Sequence, residues 1–346
     1  MNAERLTDRQ IKESPEQQLK NFKKTGEFLV AIDTDGCVTD NMNGKQMLIF
    51  HPLFMEFYGL WKIESYFREV AEYYNLFSVD RGCNRFIAIQ LTMKALSQRK
   101  DMAKCLADKR LKLPDMSFID RYIEWAGKNK TGLGNPSLEK FIAENPGDYS
   151  LCRLLGWSEA VNRSFPGISA KIPPFENVMN SLELIEKKAD IIVVSKTPYN
   201  DLADYWKSHG IDRYIRLIAG QEMGSKEHHI ALAKSAGKYP DKNVLMLGDG
   251  AGDLKAVRAN KGVFYPVPPG KEQEAWNNFP EFFRLFVSGS HASREAELTE
   301  KFNKVLLDSP PWLGAGYNHV SAYREKQSIR QELYKKLLPK GRLLVL

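Results

Sequence analysis

Four carboxylates in two short clusters, Asp33 with Asp35 and Asp249 with Asp253, have the spacing best suited to chemistry in this chain. The first pair closes the apolar run Phe28-Leu29-Val30-Ala31-Ile32 and is followed by Gly36. A buried strand that stops on Asp-x-Asp sets both acids at the carboxyl edge of a sheet, where α/β folds bind ligands. Paired carboxylates there can hold a hard cation and act on phosphate. Taken alone, the same residues also fit a strand running into a solvated acidic turn. The second pair stands in Val244-Leu245-Met246-Leu247-Gly248-Asp249-Gly250-Ala251-Gly252-Asp253. Here another apolar run ends on an acid, glycines allow a tight turn, and a further acid follows at the predicted start of a helix. That spacing can bring Asp249 and Asp253 to the same edge as the first pair, an oxygen-rich pocket suited to Mg²⁺. A dinucleotide-binding loop fits poorly, because Gly248, Gly250 and Gly252 miss the G-x-G-x-x-G spacing and the acids would repel pyrophosphate.

Two more residues lie between the clusters in chain order. Ser195 ends the apolar run Ile191-Ile192-Val193-Val194, and a hydroxyl there can donate to a phosphate oxygen alongside the amides of a following helix. A helix-capping serine is the plainer alternative. Lys226 begins a predicted helix and could neutralise charge between a carboxylate and a phosphate; Lys196 and Lys171 are rivals for that task.

These residues need elements to hold them. Residues 28–33 read as a buried strand, and 39–48 as a hairpin turning at Asn43-Gly44, a type I′ signal. From about Phe50 to Phe165 the spacing turns helical, with Phe54, Phe57, Tyr58 and Trp61 on one face and breaks at Pro114-Asp115 and Gly132 to Pro136. From Pro174 helix and strand alternate. Strands are predicted at 190–195, 215–219, 244–248 and 263–266, with helices through Val178 to Ile185, from Pro198 with Thr197 as its cap, over 226–236 and from about Gly252. Such alternation means parallel strands covered by helices. The fold class is therefore α/β, a doubly wound, Rossmann-like parallel sheet with an all-helical insertion after its first strand. The expected division is a sheet domain of 1–50 and 166–346, with helical N- and C-terminal extensions, and a helical domain of 51–165.

Composition narrows the function class. The chain has 346 residues, 43% of them apolar, and a formal charge of +7, enough for a large core. No apolar run approaches the about 18 residues that cross a bilayer. Met1 to Lys24 is polar, unlike a secretory signal, so a cytoplasmic location and no membrane association are expected. Cys37, Cys83, Cys105 and Cys152 contain no C-x-x-C pair, which argues for reduced thiols and against zinc. Basic residues are scattered among acids and are densest at the end (Lys335, Lys336, Lys340, Arg342). This is a solvated basic surface rather than a nucleic-acid site, and it suits a small anionic substrate. The adjacent pair His228-His229 has no spaced third ligand, and a helix points the two to different faces.

Asp33-x-Asp35-Gly36, Ser195, Lys226 and Gly248-Asp249-Gly250-Ala251-Gly252-Asp253 together resemble the four motifs of the haloacid dehalogenase superfamily, over residues 25–50 and 170–268. The likeness is to the subgroup with a helical cap between the first and second motifs. It implies Asp33 as the nucleophile that becomes aspartyl-phosphate and Asp35 as general acid and base. It implies Ser195 and Lys226 as phosphate ligands, and Mg²⁺ held by Asp33, Asp35, Asp249 and Asp253. Cys37 departs from the threonine or valine common after that glycine. An aspartate at position 35 favours phosphate esters over halides or phosphonates, so the implied activity is Mg²⁺-dependent hydrolysis of a small phosphorylated metabolite. Phosphoryl transfer through the same intermediate, or a catalytically idle binding module, are the alternatives. Substrate choice would fall to the cap, where Arg81, Asn84, Arg85 and Arg163 are the polar candidates and the aromatic residues of 54–77 mostly form its core.

Overall fold

In the computed structural model, which describes residues 5–337, the apolar runs become five strands: β1 (Phe28–Ile32), β2 (Ala189–Val194), β3 (Leu217–Ala219), β4 (Val244–Gly248) and β5 (Val263–Pro266). They form one parallel sheet in the order β3-β2-β1-β4-β5. Every strand residue is buried, as expected when helices cover both faces of a parallel sheet and the strands read as continuous apolar runs. The chain runs outward from β1 through β2 to β3, then returns to the other side of β1 for β4 and β5. Ile32 lies opposite Val193 on one side and Leu247 on the other, so the residues after β1, β2 and β4 emerge side by side at the carboxyl edge.

The entry into β1 is held by an acid that sequence patterning did not single out. Asp190 is buried within β2 and accepts from the backbone N–H groups of Thr25 and Gly26, both at 2.7 Å, and from the Tyr239 hydroxyl. Four carboxylate-directed donors at one end of β1 and the ladder along it leave that strand little freedom. Gly26 itself passes against the β2 backbone, where a Cβ would come within 2.7 Å of the Ala189 carbonyl carbon.

The chain falls into two compact units. One comprises the residues up to Met42 with Ala170–Leu306, the other Asn43–Ser169 with the residues from Leu307 onward. The first holds the sheet and its flanking helices, among them Val178–Glu186, Tyr199–Ser208, Lys226–Gly237, Ala251–Ala259 and Glu272–Val287. The second is helical. Its core centres on Phe54, whose ring stacks on Tyr58 (4.4 Å between centroids) and Phe67 (5.4 Å) and meets Trp157 edge-on at 5.3 Å.

Two expectations are corrected here. Residues 39–48 form no hairpin: Asn41–Lys45 is helical and continues through a π-helical turn, Gln46–Phe50, into the helix His51–Tyr58. Burial of Ile49 and Phe50 in the helical core, with Met47 also buried, outweighs the turn preference of Asn43-Gly44. The C-terminal segment, expected with the sheet, instead belongs from Leu307 onward to the helical unit. The helix His319–Leu337 lies on Glu64–Glu72, where Arg330 donates from Nε (2.8 Å) and Nη2 (2.5 Å) to the fully buried Glu72. His319 stacks on Tyr66 at 3.8 Å and bonds Glu69 and Ser65. Lys335 is exposed on this helix, whereas Lys340 and Arg342 lie outside the described residues. No disulfide joins the cysteines, and no helix among the described residues is long and apolar enough to cross a membrane.

Because the atoms facing Gly26 are backbone and cannot swing aside, Gly26→Ala must push β1 away from β2. A loss of about 2 kcal/mol is expected, read as a lower urea midpoint with unchanged slope. A variant as stable as the parent would show that the two strands have slack.

Candidate active site

Asp33 is the first residue past β1, and its N–H extends the ladder by donating to the Leu247 carbonyl at 3.1 Å. Its Oδ1 accepts from the next amide, Thr34 N–H, at 2.7 Å. The chain then coils: Val38 N–H donates to Thr34 O at 2.9 Å and Gly36 N–H to Thr39 O at 2.8 Å. Gly36 takes a φ of +81° there, a left-handed conformation that side chains resist. Two buried indoles pin the coil, Trp206 Nε1 donating to Thr34 Oγ1 (3.0 Å) and Trp276 Nε1 to the Cys37 carbonyl (2.7 Å). Asp33 and Asp35 are thereby buried on a fixed backbone, and the solvated acidic turn is ruled out.

After β4 the chain makes its tight turn around Asp253. One oxygen of that carboxylate, Oδ2, accepts from Asp249 N–H (3.1 Å) and Gly250 N–H (3.0 Å), closing the start of the helix Ala251–Ala259. The side chain folds so far back that a Cβ on Gly248 would lie 2.3 Å from the Asp253 Cβ. Glycine at 248 is thus a requirement of the acid at 253. The other oxygen, Oδ1, accepts from Lys226 Nζ at 2.5 Å, and the same ammonium donates to Asp33 Oδ2. Lys226 is delivered by the first turn of Lys226–Gly237, which Ser225 caps by accepting from His228 N–H at 3.2 Å.

Among the described residues, Asp33, Asp249 and Asp253 form the cluster suited to a metal, with ligand-capable oxygens all within 4.8 Å of one another and all three residues buried. At that separation each pair of negative charges repels by about 3 kcal/mol at an effective dielectric of about 20. The Lys226 ammonium faces all three carboxylates. The imbalance shows in Asp33, whose carboxyl is pushed up to about 7: burial raises it, Lys226 opposes, and Asp253 and Asp249 raise it further. Burial alone would pull Lys226 down, but Asp253, Asp33 and Asp249 outweigh it and hold the ammonium above its ordinary range. An all-oxygen, anion-rich set of this kind fits a hard divalent cation. Burial, reinforced by Asp33, Asp249 and Asp253, pushes the Cys37 thiol well up, so it offers no thiolate nucleophile.

Asp35 is not part of that cluster. Its Oδ2 accepts from Thr197 Oγ1 at 2.8 Å, a buried contact. Thr197 was expected to cap the helix after β2, yet Tyr199–Ser208 has Pro198 at its cap position and no side-chain cap. The Tyr199 N–H is taken by Glu222 instead, at 3.0 Å. Ser195 is buried at the end of β2, with its N–H on Ala219 O at 3.0 Å and its Oγ accepting from Thr197 N–H at 3.2 Å.

The four polar candidates of the insertion sit in the helical unit. Asn84 caps the helix Arg85–Gln98, accepting from Phe86 N–H at 2.9 Å and donating to Leu133 O at 2.8 Å. Arg81 is buried and donates to Leu76 O at 2.8 Å. Arg85 ties its helix to Ser158 (2.9 Å) and Asn162 (2.8 Å), while Arg163 is exposed. Among the rivals of Lys226, Lys171 and Lys196 are both exposed. His228 pairs with Glu16 at 3.1 Å and His229 is buried.

No family model and no curated protein matches this sequence. Solved structures do resemble it. A haloacid dehalogenase-like family hydrolase from Xanthomonas campestris is 11% identical, over 79% of this chain and 97% of that one, at a TM-score of 0.41. A predicted phosphoglycolate phosphatase from Haemophilus somnus is 11% identical over 75% and 100%, at 0.39. A defluorinating L-2-haloacid dehalogenase is 14% identical over 70% and 84%, at 0.32.

The helix that presents Lys226 also buries His229, whose ring is pushed down to about 4 by burial and then by His228 and Lys226. Between pH 6.5 and about 4 the unfolded chain therefore binds a proton that the folded chain refuses, so stability falls as pH is lowered through that window. The full effect is about 3 kcal/mol. His229→Leu is expected to flatten the urea midpoint against pH across this range; an unchanged acid slope would refute the assignment.

Proposed function

We propose that this protein is a Mg²⁺-dependent phosphatase of the haloacid dehalogenase superfamily, hydrolysing a small phosphorylated metabolite through an aspartyl-phosphate on Asp33. The observation that carries the reading is the Lys226 ammonium joined to both Asp33 and Asp253 within a buried three-carboxylate cluster at the carboxyl edge of the sheet. Three acids, two just past the ends of adjacent strands and one in the first turn of the helix that follows, desolvated together around Lys226, destabilise the fold unless they serve an ionic ligand.

Asp33, Asp249 and Asp253 would hold the cation. Bound there, Mg²⁺ offsets the charge of the cluster and of the incoming phosphate, so that an anionic carboxylate can approach an anionic phosphorus. Lys226 contributes a second positive charge, bonded to Asp33 and Asp253. Asp33 attacks phosphorus as the P–O bond to the leaving group breaks, and Asp35 gives its proton to the departing oxygen. Asp35 then takes a proton from water, which attacks the aspartyl-phosphate and regenerates Asp33. The Ser195 hydroxyl and the Lys226 ammonium are the donors for the phosphoryl oxygens. An intact set of acids at 33, 35, 249 and 253 favours an active enzyme over an idle binding module, and a cytoplasmic enzyme fits the composition.

The expected result is Mg²⁺-dependent release of p-nitrophenol from p-nitrophenyl phosphate, abolished by a chelator. Asp33→Asn should lower kcat by about 1,000-fold or more, and Lys226→Met by about 100-fold. Equal activity in parent and Asp33→Asn would overturn the nucleophile assignment. A parent silent on this and on a panel of phosphorylated metabolites would favour the binding module. Product analysis with acceptor sugars present separates hydrolysis from transfer.

A further inference from the structure

We propose that Thr197 is a positioning residue for Asp35, fixing which oxygen of that carboxyl carries the proton to the leaving group. This inference rests on the phosphatase reading above and adds to it a residue outside the clusters that suggested it. The Thr197 hydroxyl donates to Asp35 Oδ2 at 2.8 Å, with both residues buried. Nothing else in the local structure accounts for that hydroxyl. The following helix has no side-chain cap, and the amide it would have capped is already bonded to Glu222.

The backbone of Thr197 is fixed on both sides. Its N–H donates to Ser195 Oγ at 3.2 Å, and its carbonyl accepts from Gln221 N–H at 3.1 Å. A β-branched side chain on a fixed backbone has few rotamers open to it, so the donor arrives at Asp35 pre-oriented. Because one residue touches both Ser195 and Asp35, a group that binds phosphate and a group that moves the proton are held in register. With Oδ2 engaged as an acceptor, the transferable proton sits on Oδ1. In the first half-reaction the Asp33–phosphorus bond forms, the ester P–O bond breaks, and the Oδ1 proton passes to the departing oxygen. In the second, the water oxygen bonds to phosphorus as the bond from Asp33 to phosphorus breaks, Oδ1 takes the proton from that water, and the hydroxyl of Thr197 keeps its own proton throughout.

A merely structural threonine and a positioning one differ in how their loss depends on the leaving group. A good leaving group departs without protonation, whereas a poor one needs the acid. The test is kcat/KM, which reports the step that expels the leaving group, for para-substituted phenyl phosphates from p-nitrophenyl to unsubstituted phenyl. Thr197→Val keeps the shape and removes the donor. The expected outcome is a steeper dependence on leaving-group basicity, with phenyl phosphate losing at least about tenfold more than p-nitrophenyl phosphate, and recovery in Thr197→Ser. Equal losses across the series, or no loss, would overturn the positioning role while leaving the phosphatase reading intact. A parent inactive on the whole series, or unaffected by Asp33→Asn, would instead overturn that reading and this inference with it. If the valine variant does not fold, Thr197→Ala compared with Thr197→Ser gives the same contrast.

Discussion

The ammonium of Lys226, shared between Asp33 and Asp253, is the interaction on which the edge of the sheet depends. Three carboxylates collected within 4.8 Å and away from water would repel one another apart if nothing positive stood among them. One lysine offsets part of that repulsion and leaves the remainder for an ionic ligand. The geometry around it follows from this demand. Lys226 must begin a helix, so Ser225 caps it; Asp253 must turn back, so Gly248 carries no side chain; Asp33 must stay at the strand end, so it remains on the β1–β4 ladder.

The sheet contributes alignment rather than chemistry. Parallel pairing of β1 with both β2 and β4 brings Asp33, Ser195 and Asp249 to one level, though the chain between the first and the last of them exceeds two hundred residues. Indoles at 206 and 276 then fix the coil that follows β1 from beneath. Rigidity at this edge matters for the nucleophile proposed at Asp33, because a displacement of about 1 Å forfeits much of the advantage in orientation.

Much of this was legible in the sequence. The boundaries of β4 and β5 follow directly from apolar runs bounded by glycine, proline and acids, and the helical character of the insertion follows from aromatic spacing around Phe54. The acids were legible because strand ends carry ligands in such folds. What escaped has a common cause, namely competition decided by tertiary contacts. Asn43-Gly44 reads as a turn until the burial of Met47 and Phe50 is known. Thr197 reads as a helix cap until Glu222, far along the chain, is seen to occupy the amide. Asp190 reads only as the first residue of a strand until its three donor residues, Thr25, Gly26 and Tyr239, are found around it. No local pattern announces that Arg330 will meet Glu72.

That last contact bears on how the protein is made. The helical unit draws its residues from the middle of the chain and from its end. During synthesis the middle portion emerges with Glu72 and Glu69 still lacking the arginine and histidine that complete them. The sheet is also incomplete at that stage, since β1 waits for β2 and β4. The helical unit cannot reach its final form before the helix His319–Leu337 has been translated, whereas the sheet unit has all of its residues by Leu306. The C-terminal segment thus acts as a closing clasp, and the helical unit is not a cassette that could be lifted out between two cut points and moved to another scaffold.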